Sequence, residues 1–315
     1  MDVLRSVPFE GDPDFIMHPY RIGGNTMIRI FIALVACVVL CANGHAAQST
    51  IVTAEGSSCM GRDKSRDQAE REAKVNAQRN AVENAQTFIR SQTEVKTFVV
   101  EKDVIEAYSQ AKVTVLEELK DGTGWYKDPV SGECFKTTIK AEVIPDEKAM
   151  QDIAQKPGIA DDPSGPLNVK VWTEKKEYRD GEKVRIFLRG NRPFYVRVIY
   201  RDAEGKDSLQ ILPNPHRGDN YFRGGVTYEI PEEGQDKFDL EVTPPFGIEQ
   251  VILYASTAQL GDIDLQEAGG VYKAKTNSKD IGVKTRGLKL VGKSKSEPTA
   301  GAGFVEGRVE VRTRK

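Results

Sequence analysis

Alanines recurring at every fourth position limit what the first half of this chain can form. They run from Ala69 to Ala85 and follow Ser65 and Gln68, which have the spacing of a helix-capping box. An α-helix turns once in about 3.6 residues, so the alanines share one face and predict an amphipathic helix of about 30 residues. Small side chains let a helix approach closely, and we expect it to pack on the chain's own sheet. The alternative is an exposed helix that docks into a partner.

The surrounding residues predict an α+β domain over 48–155. A strand precedes the long helix, and a shorter helix and two alternating segments follow it, with turn residues between them. The predicted elements are a strand at 48–57, a helix at 99–108, strands at 112–117 and 135–143, and a short helix at 146–155. One long helix over a small antiparallel sheet is the expected arrangement.

Three phrases in this domain resemble a known family. They are Ala54-Glu55-Gly56, the helical stretch Ala77 to Glu83, and Ser91 to Val95. In this order, within Ile51 to Val143, they resemble the N-terminal domain of flagellar assembly protein T and related small surface lipoproteins. The resemblance implies a role in assembling the cell envelope and implies no catalysis.

A change of pattern after 156–166 predicts a second domain. That segment is rich in Pro, Gly and Asp, which is typical of a linker. Over 167–285 the chain alternates apolar and polar residues in seven or eight short runs separated by turn residues. This pattern predicts an all-β, immunoglobulin-like sandwich.

The second domain resembles domain of unknown function 4384. The residues that carry the resemblance are Tyr178, Gly181 and Val184; Phe194-Tyr195-Val196; Asp202 and Gly205; Leu212-Pro213-Asn214; Ile230-Pro231; and Pro245 to Glu249. It implies the sandwich fold and an accessory role, and it brings no established chemistry with it.

The stretch 27–46 has the three parts of a secretory signal peptide. Met27 to Arg29 is positive, Ile30 to Leu40 is apolar, and Gly44 to Ala46 supplies small residues for cleavage near Ala46/Ala47. The alternative is a transmembrane helix, but the uncharged stretch has 15 residues, against about 20 for a span. We therefore expect a periplasmic or secreted bacterial protein that is not integral to a membrane.

Two features qualify this N-terminus. Residues 1–26 contain acidic residues and prolines unlike a signal start, so we interpret them as a mis-annotated leader before a true start at Met27. Leu34 to Cys37 matches a bacterial lipobox, so a lipoprotein attached through Cys37 is the alternative.

The predicted mature chain keeps two cysteines, Cys59 and Cys134. A single pair in an oxidising compartment predicts one disulfide. The alternative is two buried free thiols.

No catalytic pattern accompanies these domains. His216 is the one histidine of the predicted mature chain, so a Ser–His or Cys–His nucleophile lacks other candidates for its base. Phosphate-binding and metalloprotease motifs are missing, and the sequence predicts no metal site and no cofactor. A net charge of −2 argues against a general nucleic-acid binder. A hydrolase with a carboxylate pair remains the enzymatic alternative.

One long loop is the candidate contact site. The segment 213–225 combines aromatic, Arg and amide side chains, the usual composition of a contact patch. The candidate residues are Asn214, His216, Arg217, Tyr221, Phe222 and Arg223. The alternative is a loop that covers the end of the sandwich.

The last segment, 286–315, is predicted to be a basic flexible tail. From Gly282 onward it has nine Lys or Arg against three Glu, which suits an anionic surface or cell-wall polymer. The alternatives are a solubilising tail and a final strand near Phe304 to Arg312.

Together these features predict an exported, non-enzymatic accessory protein of the envelope, flagellar or secretory, that acts by protein–protein contact with an unidentified partner. The alternative is a module that binds cell-wall or surface polymer through the loop 213–225.

Overall fold

The computed structural model describes residues 47–92, 98–156, 158–287 and 301–315. The predicted leader, the signal peptide at 27–46 and Cys37 lie outside the described residues, so the structure leaves these predictions as they stand.

The described residues form four helices and fourteen strands. The helices are α1 (Arg66–Gln92), α2 (Phe98–Ser109), α3 (Glu147–Ala154) and α4 (Ser278–Arg286). The strands of the first half are β1 (Ala47–Cys59), β2 (Lys112–Asp128) and β3 (Gly132–Ile144). Those of the second half are β4 (Val169–Thr173), β5 (Glu177–Arg179), β6 (Ile186–Gly190), β7 (Phe194–Arg201), β8 (Ser208–Leu212), β9 (Tyr221–Phe222), β10 (Thr227–Ile230), β11 (Ile248–Ser256), β12 (Leu265–Ala268), β13 (Val271–Ala274) and β14 (Gly301–Arg314).

Two sheets organise these strands. The long sheet has eleven strands, nine of them in the order β12-β13-β8-β7-β11-β14-β1-β3-β2, while β5 pairs with β14 and β9 with β7. The short sheet has the order β10-β6-β4 and packs over the second half of the long sheet. The α+β domain followed by a β-sandwich is therefore confirmed, although one long sheet runs through both.

Helix α1 lies directly on β1, as the alanine spacing predicts. All five alanines from Ala69 to Ala85 are completely buried. A Cβ at Gly56 would lie 2.2 Å from the carbonyl oxygen of Ala73 and 2.2 Å from the amide nitrogen of Ala77. Glycine in the strand permits this close approach, since any side chain there would overlap the helix backbone. The capping box is also present: the Ser65 amide donates to Gln68 Oε1 at 2.8 Å, and the Gln68 amide donates to Ser65 Oγ at 3.3 Å.

Three asparagines of α1 occupy one edge of β1. The side-chain amides of Asn76, Asn80 and Asn84 donate to the backbone carbonyls of Ser57, Glu55 and Thr53 at 2.9, 2.7 and 3.0 Å. Four helical residues rise about 6.0 Å and two strand residues about 6.6 Å, so the two repeats stay in step. Among the described residues β14 pairs with Ala47–Val52 of β1, and the three asparagines bond to carbonyls of β1 beyond that segment.

The predicted disulfide joins neighbouring strands. Cys59 of β1 and Cys134 of β3 lie opposite each other in the register and are bonded, closing a separation of 75 residues. The bond fixes the ends of β1 and β3 that lie farthest from the sandwich.

The sandwich core lies between the short sheet and the second half of the long sheet. Its fully buried members include Leu188, Phe194 and Leu253. The strands β4 and β5 belong to different sheets, so the chain crosses between layers at this edge. Residues near the predicted linker are held in place, since the Asn191 side chain donates to the carbonyls of Asp162 and Pro166 at 2.7 and 3.0 Å.

The flexible tail predicted for 286–315 is wrong for Gly301–Arg314, which forms the strand β14 in the interior of the long sheet. The alternative of a final strand near Phe304 to Arg312 is confirmed, and residues 288–300 of the predicted tail lie outside the described residues. Strand β14 pairs with β1 on one side and β11 on the other. Phe304 and Val305 are buried on opposite faces of the sheet. Because successive apolar residues of β14 point to opposite faces, both faces must be packed against other apolar side chains. The two halves of the chain supply these side chains only when they are assembled.

An ion-pair cluster fixes β14 and α4 to the first half. Arg286 of α4, a helix that the sequence analysis does not predict, contacts Glu142 of β3 at 2.8 Å and Glu306 of β14 at 2.7 Å. Burial acts to raise the pKa of Glu306, but hydrogen bonds and charge from Arg308 and Arg286 outweigh it and lower that pKa.

Candidate contact surfaces

Three of the six candidate residues in the loop 213–225 serve the fold. Asn214 is buried and accepts from the amides of His216 and Arg217, both at 2.8 Å. Arg217 pairs with the buried carboxylate of Asp236 at 2.9 Å and lies over the ring of Phe222. Phe222 is 2% exposed and stacks on Phe194. These side chains define the loop and close the end of the sandwich.

The other three candidates are exposed but do not converge. His216 stacks on Phe238, whereas Tyr221 contacts Tyr195 with ring centroids 5.0 Å apart. Tyr221 is 49% exposed. The backbone amide of Arg223 donates to the hydroxyl of Tyr228 at 3.0 Å, and Arg223 as a residue is exposed. The loop therefore offers one exposed tyrosine beside a second ring, and no single concave site.

A second surface, which the sequence analysis does not identify as a site, lies on the outer face of the short sheet. Trp172 of β4 and Phe187 of β6 are opposite each other in the register, and their rings stack at 5.7 Å with 15° between the planes. Trp172 is 38% exposed. The sequence does carry a signal for this surface, which is the alternation of side chains along β6. This alternation places Phe187 with Arg185 and Arg189 on the face opposite the buried Ile186 and Leu188.

Charged side chains of both signs surround this pair, which we call the aromatic patch. Arg189 and Lys170 form the adjacent row. Arg185 pairs with Glu229, whose strand position is opposite Phe187. An apolar centre with a charged rim is the usual anatomy of a protein contact. Since Trp172 and Phe187 stand on two hydrogen-bonded strands and Glu229 on a third, the patch is also rigid.

A small pocket lies where the two halves meet. The end of α1, the start of β1 and the turn after β6 line it, and Arg192 crosses it to donate to Gln92 Oε1 at 2.7 Å. Arg192 also donates to the carbonyl of Gly165 at 3.2 Å, and burial lowers the pKa of its guanidinium. Tyr108 and Thr50, on its wall, share a hydrogen bond of 2.7 Å. The hydrogen bond from Arg192 to Gln92 therefore already joins the two halves of the chain.

The described residues contain no group of three or more His, Cys, Asp or Glu side chains arranged to hold a metal ion. None of the helices within the described ranges combines the length and apolar composition needed to cross a membrane.

Comparison with known families gives one match. Residues 177–259 match the model of Domain of unknown function (DUF4384). The matched segment runs from β5 to just beyond β11, so it includes Phe187 and the loop 213–225 but excludes β4, β12, β13 and β14. The match therefore leaves out four strands of the second half.

No curated protein and no solved structure matches the chain. The resemblance of Ile51 to Val143 to flagellar assembly protein T is not confirmed and stays a prediction.

Proposed function

We propose that this protein is exported and acts in the cell envelope as a non-enzymatic accessory protein, through contact with other proteins. The disulfide between Cys59 and Cys134 supports export, because cytosolic thiols are kept reduced while such bonds persist in the periplasm and outside the cell. The signal-peptide pattern at 27–46 supports it independently.

The aromatic patch carries the contact role. Stacked Trp172 and Phe187 lie on the outer face of a sheet whose inner face already covers the core. Aromatic side chains dominate the binding free energy of protein interfaces when a partner buries them inside a polar rim. The patch has both an aromatic centre and a charged rim. Because its side chains lie on the outer face of the sheet, substituting them leaves the sandwich core intact. We propose that its partner belongs to an envelope assembly machine, flagellar or secretory.

The export step is tested by mass spectrometry of the protein from native cells. We expect a mature N-terminus at Ala47 and a bonded Cys59–Cys134 pair. An uncut N-terminus with both thiols free would contradict export.

The contact step is tested by affinity capture from envelope extracts with Trp172→Ala. Loss of a central aromatic anchor should reduce recovery of the partner by about tenfold or more. Tyr126→Ala is the matched control, because Tyr126 is an aromatic residue of similar exposure, 42%, on β2. Equal capture by both variants would show that the aromatic patch does not bind the partner.

Binding of a cell-wall or surface polymer through the loop 213–225 is the second candidate, favoured by the exposed Tyr221 beside Tyr195. Sedimentation with purified cell wall that is lost in Tyr221→Ala, and kept in Trp172→Ala, would select it.

A further inference from the structure

Strand β2 forms one end of the long sheet and has an open edge. β3 pairs with it on one side, and within the described ranges no strand pairs with it on the other. Residues of an antiparallel strand direct their backbone N–H and C=O groups alternately to the two sides. The amide of Met60, just after β1, donates to the carbonyl of Glu133, so the odd-numbered residues of β3 bond to β1 and the even-numbered ones to β2.

The backbone groups of Val113 and Val115 therefore lie on the open edge of β2. Lys112 and Thr114 are opposite even-numbered residues of β3 and bond to them, whereas the two valines are opposite odd-numbered ones. The valine side chains lie on the face that carries α1, where Val115 is 37% exposed. Lys112 and Thr114 are exposed on the other face. The start of β2 thus presents four unused N–H and C=O groups beside an exposed apolar side chain.

This part of the edge lacks the usual protection against pairing. Bulges, charges, prolines and short lengths normally keep an edge strand from adding a further strand. In β2 the register shifts twice between Val115 and Gly124, and 117–121 holds four charged residues. The segment 112–115 keeps an unbroken register, carries one charge and contains neither Pro nor Gly. Three of its four residues are β-branched, a composition that favours strand pairing.

We propose that this edge pairs with the same edge of a second copy of the chain, antiparallel and centred on Thr114. In that register Val113 of each copy is opposite Val115 of the other, and the unused backbone groups of the two copies form four hydrogen bonds. The two Thr114 side chains meet on the other face, and threonine pairs are among the cross-strand pairs that stabilise sheets. The interface is isologous, with a two-fold axis at Thr114.

The charges of this edge suit pairing with itself. In the proposed register Lys112 is opposite Leu116 of the second copy and one residue from its Glu117, which faces Lys140 within its own sheet. The two copies of Lys112 stay four residues apart along the seam, about 13 Å, so no like charges meet. The pairing involves neither the aromatic patch nor export, so it goes beyond the function proposed above and is tested independently of it.

Sedimentation equilibrium tests the proposal with purified protein of residues 47–315, because the chain from Gly44 onward forms one compact unit. We expect a monomer–dimer equilibrium with a dissociation constant of about 100 µM, since small interfaces associate weakly. Protein that stays monomeric up to about 1 mM would overturn the proposal.

Charged substitutions at the two-fold axis identify the surface. Thr114→Lys and Thr114→Glu each place like charges opposite each other, so each variant alone should dimerise about fivefold more weakly than the native protein. An equimolar mixture should regain or exceed the native affinity, because Lys then faces Glu. A loss of folding cannot be restored by mixing, so recovery assigns the effect to the interface. The matched controls are Thr227→Lys and Thr227→Glu, at an exposed threonine of the edge strand β10.

Hydrogen exchange tests the register of the pairing. We expect the amides of Val113 and Val115 to gain protection as the protein concentration rises, whereas the amide of Thr114, which bonds to β3, is protected at all concentrations. Equal effects of the Thr114 and Thr227 variants, or a mixture that fails to recover, would overturn the proposal. So would a gain of protection that is confined to other strands.

Discussion

Glu249 is a carboxylate buried near the end of the sandwich. It is 4% exposed, and it accepts from the hydroxyl of Thr313 at 2.9 Å and from that of Tyr200. None of the ion pairs in the described part of the chain involves it. Burial raises its pKa, and the two hydroxyl donors offset this only in part. The residue lies in the phrase Pro245 to Glu249 that supports the family resemblance, where its burial was not evident.

The raised pKa of Glu249 makes stability depend on pH with a definite sign. The folded state holds this proton more tightly than the unfolded state, so the contribution is present at low pH and is lost as pH rises through the folded pKa. Glu249→Gln keeps an acceptor for Thr313 and removes the charge. We expect the variant to be more stable than the native protein at pH 8, by about 1 kcal/mol, with the difference vanishing near pH 4. Urea unfolding at both pH values measures this, and a variant that is less stable at pH 8 would contradict it.

The six loop candidates show how far residue type alone predicts a role. Arg, aromatic and amide side chains suggested a contact patch. The structure uses Asn214, Arg217 and Phe222 inside the loop and exposes His216, Tyr221 and Arg223. Residue types were therefore not enough, because a turn that caps a sandwich requires the same amide, cation and ring as a binding loop.

Among the elements, α1 was the most predictable. Its alanine period, its cap and its length follow from local sequence, and the 27 observed residues agree with them. The position of Gly56 beneath it was not predicted, because a glycine in a strand gives no sign of what approaches it. The asparagines at 76, 80 and 84 have the helical period too, and their role became visible only with the edge of β1 beside them.

Gly56→Ala tests the contact between α1 and β1. The added methyl would overlap the backbone of Ala73 and Ala77, so we expect a loss of about 3 kcal/mol in the free energy of unfolding. Gly218→Ala is the matched control, since its Cβ would meet no atom within 4 Å. Denaturant titration with far-UV circular dichroism measures both. A loss below about 1 kcal/mol for Gly56→Ala would show that the helix can move away freely.

At the scale of the whole molecule, β14 makes the two halves interdependent. Its residues pair with β1 of the first half and β11 of the second, and Arg286 joins Glu142 and Glu306 across the same junction. A strand shared in this way couples the stability of both sides. We therefore expect a single cooperative unfolding transition, although the sequence divides into two domains.

Phe304→Ala tests this coupling. Phe304 is 1% exposed and packs with Ile51 of the first half and Tyr254 of the second. We expect a loss of about 3–5 kcal/mol, with hydrogen-exchange protection reduced in both β1 and β11. Leu188→Ala, inside the sandwich alone, is the control for a core truncation. Loss of protection confined to one half in Phe304→Ala would rule out the coupling.

The sequence by itself determined the elements whose signal is local: the alanine-faced helix, the alternating strands and the cysteine pair. The period of the apolar residues shows which face of a helix or strand is apolar. That face then packs against whatever apolar surface other segments supply. Only the tertiary structure decided that 301–314 is a central strand, because its partners lie some 50 and 250 residues away in the chain. A strand's pairing depends on edges that other segments supply, and no local pattern records which edges remain open.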